Sequence, residues 1–153
     1  MQKFIKRKIK SKPLKDPKAK IRHYLIKKLD TIFSKYIRLR DSNSEGIGFC
    51  ITCGKPGYWK YMDCGHFIKR QHMSTRYDEK NCNLQCKGCN CFEQGADALY
   101  TLALEKKYGP GTSLLLLEMR NHRTRYPVFY FEKLIKEYTK KVDVLMGEID
   151  GRF

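Results

Sequence analysis

The sequence predicts an α+β protein in which a cysteine-rich module is flanked by helices on both sides. Two patterns in the 153 residues lead to this expectation. Towards both ends of the chain, apolar residues recur every three or four positions, which is the period of an amphipathic helix. The middle instead carries two Cys-x-x-Cys pairs around short aromatic and polar stretches, which favour small strands and turns.

The same patterns divide the chain into four segments. Residues 1–15 form a basic arm, 16–46 an N-terminal amphipathic helix with its exit turn, 47–108 the cysteine module, and 109–153 a C-terminal helical region. The arm is rich in lysine and lacks periodicity, so we expect it to be disordered until it binds a partner. A solubilising tail without a partner is the alternative.

The first helix is predicted to begin at Asp16 and Pro17, because aspartate favours the N-cap and proline the first helical position. It is expected to extend to about Arg40. Its apolar stripe contains residues at spacings of three and four, namely Ile21, Leu25, Leu29, Ile32, Tyr36 and Leu39.

Strands are expected inside the cysteine module. Residues 58–62 are mostly aromatic and are predicted to form a strand that continues into Asp63 and His66. Residues 69–80 are polar without a period and are predicted to form a loop. A second short strand is predicted at 83–85, and a helix that carries Asn90 is predicted to begin near Cys86 or Lys87.

Two further helices are predicted after the module. One covers residues 96–108, in which Leu99, Leu102 and Ala103 provide the apolar positions, and the other covers residues 128–146. These helices must bury their apolar stripes on the cysteine module, on the first helix, or on a second copy of the chain.

The four paired cysteines, Cys50, Cys53, Cys86 and Cys89, have the spacing of a structural zinc site. Each Cys-x-x-Cys turn brings two sulfurs to one side, so two turns complete a tetrahedron. Four thiolates also close the coordination sphere, so any chemistry must occur beside the zinc. Two separate redox pairs, or cysteines grouped by chance, are the alternatives.

The net charge of +16 indicates a polyanionic partner. Residues 1–40 hold 15 lysines and arginines against two acidic residues, and the remaining 113 residues are close to balanced. Nucleic acid is therefore expected, with an anionic membrane surface as the weaker alternative. No apolar run is long enough for a membrane span or a signal peptide, and the odd number of cysteines favours a reducing cytoplasm over a disulfide scaffold.

A group of polar residues inside the cysteine module indicates phosphodiester hydrolysis. His66 can accept a proton from water near neutral pH. Asp63 and Asn90 supply the oxygen ligands that Mg²⁺ or Mn²⁺ prefers, with water and phosphate completing the coordination. His66 could instead be a zinc ligand or an ordinary surface histidine.

The order of these residues resembles the HNH, or ββα-metal, nuclease pattern. The residues concerned are 65–68, Asn81 five positions before Cys86, and Asn90 directly after Cys89. Residues 86–95 also resemble the active-site helix of phage endonuclease VII, a junction resolvase with a four-cysteine zinc. Six blocks in the same order are similar to the phage NinG (Rap) recombination proteins: 33–40, 50–55, 62–68, 74–81, 84–90 and 106–109.

The resemblance implies a structure-specific endonuclease that cuts branched DNA, such as Holliday junctions or D-loops, in the cytoplasm of a bacterial host. It makes His66 the general base, Asn90 a ligand of the catalytic ion, and Asn81 the residue that holds the loop and orients His66. The common HNH pattern has Asp directly before the histidine, where this chain has Gly65. Asp63 is expected to replace it if the strand bends at Gly65; otherwise the ligand must be one of Asp78, Glu79 or His72.

Basic residues near these positions are expected to contact DNA. They are Lys69, Arg70 and Arg76 in the loop, together with Lys6, Arg7 and Lys8 in the arm. A charged loop that only keeps the protein soluble is the alternative. Symmetric cutting of a junction is easiest for a homodimer, for which the C-terminal helices could provide the interface. A non-catalytic zinc module that binds nucleic acid and an HNH nuclease acting on plain duplex DNA remain alternatives.

Overall fold

The computed structural model describes residues 17–92 and 97–151, and within these ranges the protein is a mixture of helices and small sheets. The helices are α1 (Pro17–Arg40), α2 (Asp97–Tyr108), α3 (Thr112–Arg120) and α4 (Val128–Ile149). The strands are β1 (Ile47–Phe49), β2 (Pro56–Tyr58), β3 (Asp63–His66) and β4 (Cys82–Gln85). The α+β class is confirmed. The basic arm, including Lys6, Arg7 and Lys8, lies outside the described residues.

The largest apolar core lies between α1 and α4, which are far apart in the sequence. Leu29, Phe33 and Ile37 of α1 are almost fully buried, as is Phe131 of α4. The ring of Phe33 meets that of Tyr138 edge-on, with 4.9 Å between the centroids. The predicted stripe of α1 is therefore confirmed in its central and C-terminal turns, and the partner of the C-terminal helix is the first helix.

A carboxylate from the long loop is held between these two helices. Glu79 accepts hydrogen bonds from the hydroxyl groups of Tyr36 at 2.7 Å and Tyr138 at 3.2 Å. The ammonium group of Lys141 also donates to it, at 3.0 Å. The loop is thus anchored to α1 and α4 by one charged side chain.

The strand predicted over residues 58–62 is wrong beyond Tyr58. β1 and β2 form an antiparallel hairpin, and the chain then makes a 3-10 turn at Trp59–Tyr61. Trp59 is only 5% exposed, because it packs into the core of α1 and α4 under the guanidinium of Arg38. Burial of one aromatic ring in that core has overridden the strand propensity of the segment.

β3 and β4 form a second antiparallel ribbon, in which Asp63 pairs with Gln85 and His66 with Cys82. No regular helix or strand occupies residues 69–80, as predicted, and a π-helical turn at Gly88–Phe92 follows β4. Further along, α2 and α3 pack together. Tyr100 and Leu104 of α2 are buried, whereas Leu99 is 53% and Leu102 is 68% exposed. The helix is confirmed at 97–108, and within one copy of the chain the face with Leu99 and Leu102 is left exposed.

None of the described helices is both long and apolar enough to cross a membrane.

Candidate metal centre and adjoining polar site

The four paired cysteines come together at one point. Cys50 and Cys53 lie in the loop between β1 and β2, whereas Cys86 directly follows β4 and Cys89 lies within the π-helical turn. Their four sulfurs are all within 4.8 Å of one another, and those of Cys53 and Cys86 are 3.8 Å apart. Four sulfurs around zinc at bonds of about 2.3 Å are separated by about 3.8 Å. The cluster could therefore hold a zinc ion.

The backbone around Cys50 favours a thiolate at this position. Burial of the sulfur opposes ionisation, but hydrogen bonds from the backbone of Cys53, Cys86 and Thr52 outweigh it and lower the pKa of Cys50 to about 7. Gly54 has φ of +72°, which closes the turn after Cys53 in a conformation that other residues rarely adopt. Preformed donors to sulfur are expected around structural zinc.

Asp63 and Asn90 are brought together beside the cysteine cluster. The side-chain amide of Asn90 donates to the carboxylate of Asp63 across 3.0 Å. Asp63 opens β3, and Asn90 lies in the π-helical turn directly after Cys89. Half a turn of the amide would present its oxygen to the same point, so the pair offers two oxygen ligands to a small cation. This set suits Mg²⁺ or Mn²⁺ when water and phosphate fill the remaining positions.

His66 is half-buried at the end of β3. Its Nδ1 lies 3.3 Å from the carbonyl oxygen of Cys64. A carbonyl only accepts, so Nδ1 is the donor, and in the neutral ring the lone pair is on Nε2. Burial lowers the pKa of His66 below its ordinary value, more strongly than the carbonyls of Cys64 and Arg76 raise it. Neutral imidazole is therefore the favoured form at neutral pH.

The ribbon separates His66 from Asp63. Side chains alternate along a strand, so Asp63 and Gly65 share one face, whereas Cys64 and His66 share the other. Three residues of strand span about 10 Å. Pairing continues without a break from Asp63 to His66, so the bend expected at Gly65 is absent.

Gly65 itself cannot be replaced by a larger residue unless the side chain of Gln85 moves. A Cβ atom at this position would lie 2.0 Å from the side-chain oxygen of Gln85 and 2.9 Å from its Cβ. Gln85 is 1% exposed and donates to the hydroxyl of Thr52 across 2.7 Å. The side chain of Gln85 thus fills the space that the aspartate of the common HNH pattern would need.

Asn81 holds the start of the loop to its end. It is fully buried, and its amide oxygen accepts from the backbone N–H of Ile68 at 2.7 Å. Its amide nitrogen donates to the carbonyls of Ile68 and Thr75, each at 3.0 Å. Ile68 lies two residues after His66, so Asn81 fixes the backbone on which the histidine stands.

The alternative ligands are engaged elsewhere. Glu79 is held between α1 and α4. Asp78 accepts from the backbone N–H groups of Lys80 and Asn81 and so shapes the turn before β4. His72 has Gln71 as its neighbour, with 3.3 Å between the two nitrogen atoms. Among the predicted carboxylates, Asp63 is the one beside Asn90.

The predicted DNA contacts divide into two kinds. Lys69 and Arg70 have exposed side chains. Arg76 instead donates to the carboxylate of Asp30 through two nitrogens and to the carbonyl of Arg70 through the third. All three nitrogens of its guanidinium group are used in joining the loop to α1, and the predicted contact between Arg76 and DNA stays a prediction.

Two features beside the ribbon escaped the sequence patterns. Tyr100 of α2 is buried and donates to the carbonyl of Gly65 across 3.0 Å, which no local pattern in α2 could indicate. Arg120, Arg123 and Arg125 lie close together on the segment after α3. Three arginines within six positions are a visible signal for a phosphate-binding patch.

Comparison with known proteins places the chain among phage proteins. The family model described as the bacteriophage lambda NinG protein matches residues 2–148. "Protein ninG" of Escherichia phage 933W and "Protein ninG" of Enterobacteria phage VT2-Sa are each 28% identical over 126 residues. The match covers 80% of this chain and 59% of each relative, so the chain spans less than two thirds of their length. No solved structure matches.

Proposed function

The chain belongs to the family of the bacteriophage lambda NinG protein, and from this premise we propose that it is a metal-dependent DNA endonuclease of the HNH type. Its substrate would be branched recombination intermediates such as Holliday junctions and D-loops, in the cytoplasm of the bacterial host. The observation that carries the proposal is the contact between Asp63 and Asn90, next to a four-cysteine cluster and on the same ribbon as His66.

Each residue has a defined task in this proposal. Zinc on the four cysteines fixes the hairpin loop against the π-helical turn. Magnesium or manganese, held by Asp63 and Asn90, would supply Lewis-acid stabilisation of the charge that develops on the phosphate. The Nε2 of His66 takes the proton of the attacking water, and Asn81 keeps the histidine in place. Lys69 and Arg70 contact flanking phosphates.

The separation of His66 from Asp63 is compatible with in-line displacement. The attacking water and the leaving oxygen lie on opposite sides of the phosphorus, with the base beyond the water and the metal ligands beyond the leaving oxygen. Because Asp63 and His66 lie on opposite faces of the ribbon, this arrangement would require the phosphate to bind at an edge of the ribbon.

The first test replaces His66 with alanine, with His23→Ala as the matched control, because His23 is exposed on α1. Purified variants are incubated with labelled junctions, flaps, D-loops and linear duplex, with and without Mg²⁺. Cleavage by His66→Ala should fall by about 10²–10⁴, the usual contribution of a positioned general base, while His23→Ala cuts like the parent. Binding to branched DNA should remain within a few-fold of the parent.

The same assay distinguishes the role of a general base, proposed for His66, from that of a metal ligand, proposed for Asp63 and Asn90. Asn90→Ala should cut poorly because the ion is held less well, so raising the Mg²⁺ or Mn²⁺ concentration should partly restore its rate. The same rescue is expected for Asp63→Ala and not for His66→Ala. Cleavage by His66→Ala at the parental rate would remove the HNH proposal. Equal cutting of linear duplex and junction would remove the preference for branched DNA.

A homodimer is proposed for symmetric cutting of a junction. Leu99, Leu102, Leu114 and Leu115 expose about half or more of their surface on α2 and α3, where a second copy could cover them. Sedimentation of the protein with and without junction DNA measures this. A monomer in both conditions contradicts it.

One observation favours a second candidate function, a non-catalytic zinc module that binds nucleic acid. Asp63 and His66 occupy opposite faces of an unbroken ribbon, and this chain has Gly65 where the HNH pattern has its metal-binding aspartate. A parent protein that binds junctions tightly and cuts none of the four substrates in Mg²⁺ or Mn²⁺ would establish this reading.

A further inference from the structure

An open cleft of about 320 Å³ lies between the 69–80 loop and the segment that joins α3 to α4. Polar and basic side chains line most of it, including Gln71, His72, Arg120, His122, Arg123 and Arg125. No carboxylate is among the residues that line it. The cleft is therefore a surface on which three arginines of one segment face polar side chains of another.

The three arginines of this cleft differ from those in the body of the protein. Arg22, Arg38, Arg40 and Arg76 each donate to a carbonyl or carboxylate. In the described part of the chain, no salt bridge or side-chain hydrogen bond is formed by Arg120, Arg123 or Arg125, and all three are exposed. Their guanidinium groups remain available to a ligand.

We propose that this cleft binds the sugar-phosphate backbone of DNA at a point away from the bond that is cut. The proposal rests on the proposed function, since the cleft would bind the arm of the DNA substrate that extends beyond the candidate site. A guanidinium presents a fork of donors that matches phosphate oxygens, and the imidazole and amide groups of His72, His122 and Gln71 add further donors.

The position of the cleft connects it to the candidate site. Gln71 and His72 belong to the loop whose start is clamped by Asn81 directly after His66. Arg70, next to Gln71, is close enough to His66 to act on its charge. A strand running from His66 along the loop therefore meets Lys69 and Arg70 first and then the cleft.

The chemistry of the walls favours a nucleic-acid backbone over a small metabolite. The cleft is open, whereas small-molecule sites are typically enclosed and bury most of the ligand, and three of the eight residues that line it are arginines. Several arginines spread along a surface match a ligand that repeats its negative charge along its length. A segment of protein rich in acidic residues is the competing occupant, which the test includes.

The test removes two charges from the cleft and two from elsewhere. Arg123→Ala/Arg125→Ala is compared with Lys133→Ala/Lys136→Ala, which removes two exposed lysines of α4. Binding of a labelled four-way junction is measured without divalent ions over a range of salt concentrations. The arginine variant should bind roughly tenfold more weakly, and its slope of log K against log salt should be shallower by about two. The lysine variant should keep the parental slope.

Three results would overturn the proposal. They are an unchanged slope in the arginine variant, equal losses in both double variants, and competition by poly-glutamate as strong as competition by unlabelled duplex. Both variants must show the parental unfolding midpoint, which is expected because all four side chains are exposed. Binding is measured without divalent ions and so does not depend on cleavage. A failure of the HNH proposal in the His66→Ala assay would therefore leave the binding result valid, and a failure of the cleft proposal would leave the cleavage result valid.

Discussion

The two halves of this protein are held together by different forces. α1 and α4 pack mainly through interlocking aromatic and aliphatic side chains, which the hydrophobic effect stabilises. The ribbon of β3 and β4 has fully buried polar side chains at Asn81, Asn83 and Gln85, and its apolar neighbours are few and include the cysteines of the cluster. The first half resembles an ordinary helix pair. The second depends on hydrogen bonds and on the cysteine cluster.

This difference between the helix pair and the ribbon explains why the candidate catalytic residues lie on the ribbon side. A buried polar group is stable only when its donors and acceptors are satisfied, so the ribbon positions its side chains through directed bonds at fixed distances. An apolar core tolerates the exchange of one apolar side chain for another of similar volume, and it fixes the orientation of its side chains less strictly. The candidate catalytic residues therefore lie in the half in which directed hydrogen bonds position the side chains.

Breaking the cysteine cluster should give the largest effect. Cys89→Ser, or removal of zinc by a chelator, should unfold the module over residues 47–92, because binding of zinc to small thiolate sites contributes on the order of 10 kcal/mol to folding. Hydrogen exchange should rise in β1 to β4 and should remain slower in α1 and α4. The chelator is added to the parent protein, and the zinc content is measured in the treated parent and in Cys89→Ser. A Cys89→Ser variant that keeps its fold without zinc would contradict the structural role of the cluster.

Removing Asn81 should have the next largest effect, because it tests the hydrogen bonds of the same half. Asn81→Ala leaves three backbone groups of the loop without their partner, at a cost of roughly 2–4 kcal/mol in the free energy of unfolding. Asn43→Ala is the matched control, since Asn43 also accepts two backbone N–H bonds but is exposed. Its cost should be about 0.5–1 kcal/mol.

Urea unfolding monitored by circular dichroism compares the two variants. Equal destabilisation by Asn81→Ala and Asn43→Ala would mean that burial of the loop does not add to the strength of these bonds. A stable Asn81→Ala protein with lower cleavage would show that Asn81 acts on His66 alone.

The smallest effect is expected at Glu79, a carboxylate of the 69–80 loop that contacts both α1 and α4. Burial opposes its ionisation, but hydrogen bonds from Tyr36 and Lys141 outweigh burial and hold the pKa of Glu79 below its ordinary value of 4.5. The folded state therefore binds fewer protons than the unfolded state. The stabilisation is complete above the unfolded pKa and is lost as the pH falls through the folded pKa.

Glu79→Gln is expected to reduce stability at pH 7 and to flatten the decline of stability below about pH 4.5. Thermal unfolding of the parent and of Glu79→Gln is followed between pH 3 and 7, with the exposed Glu132→Gln as control. A parallel pH dependence in the parent and in Glu79→Gln would show that another group is responsible.

The same contrast governs how much could be predicted from the sequence. The bounds of α1, the loop at 69–80 without a regular helix or strand, and the meeting of the four cysteines follow from periodicity, from polarity and from metal spacing, which are local signals. The burial of Trp59 depends on the core that α1 and α4 form, so the strand propensity of its segment gave a wrong prediction. The exposure of Leu102 depends likewise on which elements of the fold pack against α2, which helix spacing does not reveal. The pairing of Arg76 with Asp30 is equally non-local.

In the candidate site, sequence order identified Asp63, Asn81 and Asn90 as residues to examine. It could not reveal that Gln85 fills the space beside Gly65, because side-chain volume across a ribbon leaves no periodic signal. The roles assigned to His66, Asn81, Asp63 and Asn90 remain predictions for the cleavage assay.

The pairing of α1 with α4 also determines when the protein can finish folding during synthesis. Arg22 and the carbonyl of Tyr126, which it contacts, are 104 positions apart. Ribosomes add about 5–20 residues per second, so α1 waits on the order of ten seconds for its partner. The cysteine module emerges in between and can bind its metal first. Until α4 is made, the apolar face of α1 stays open to chaperones and to other nascent chains.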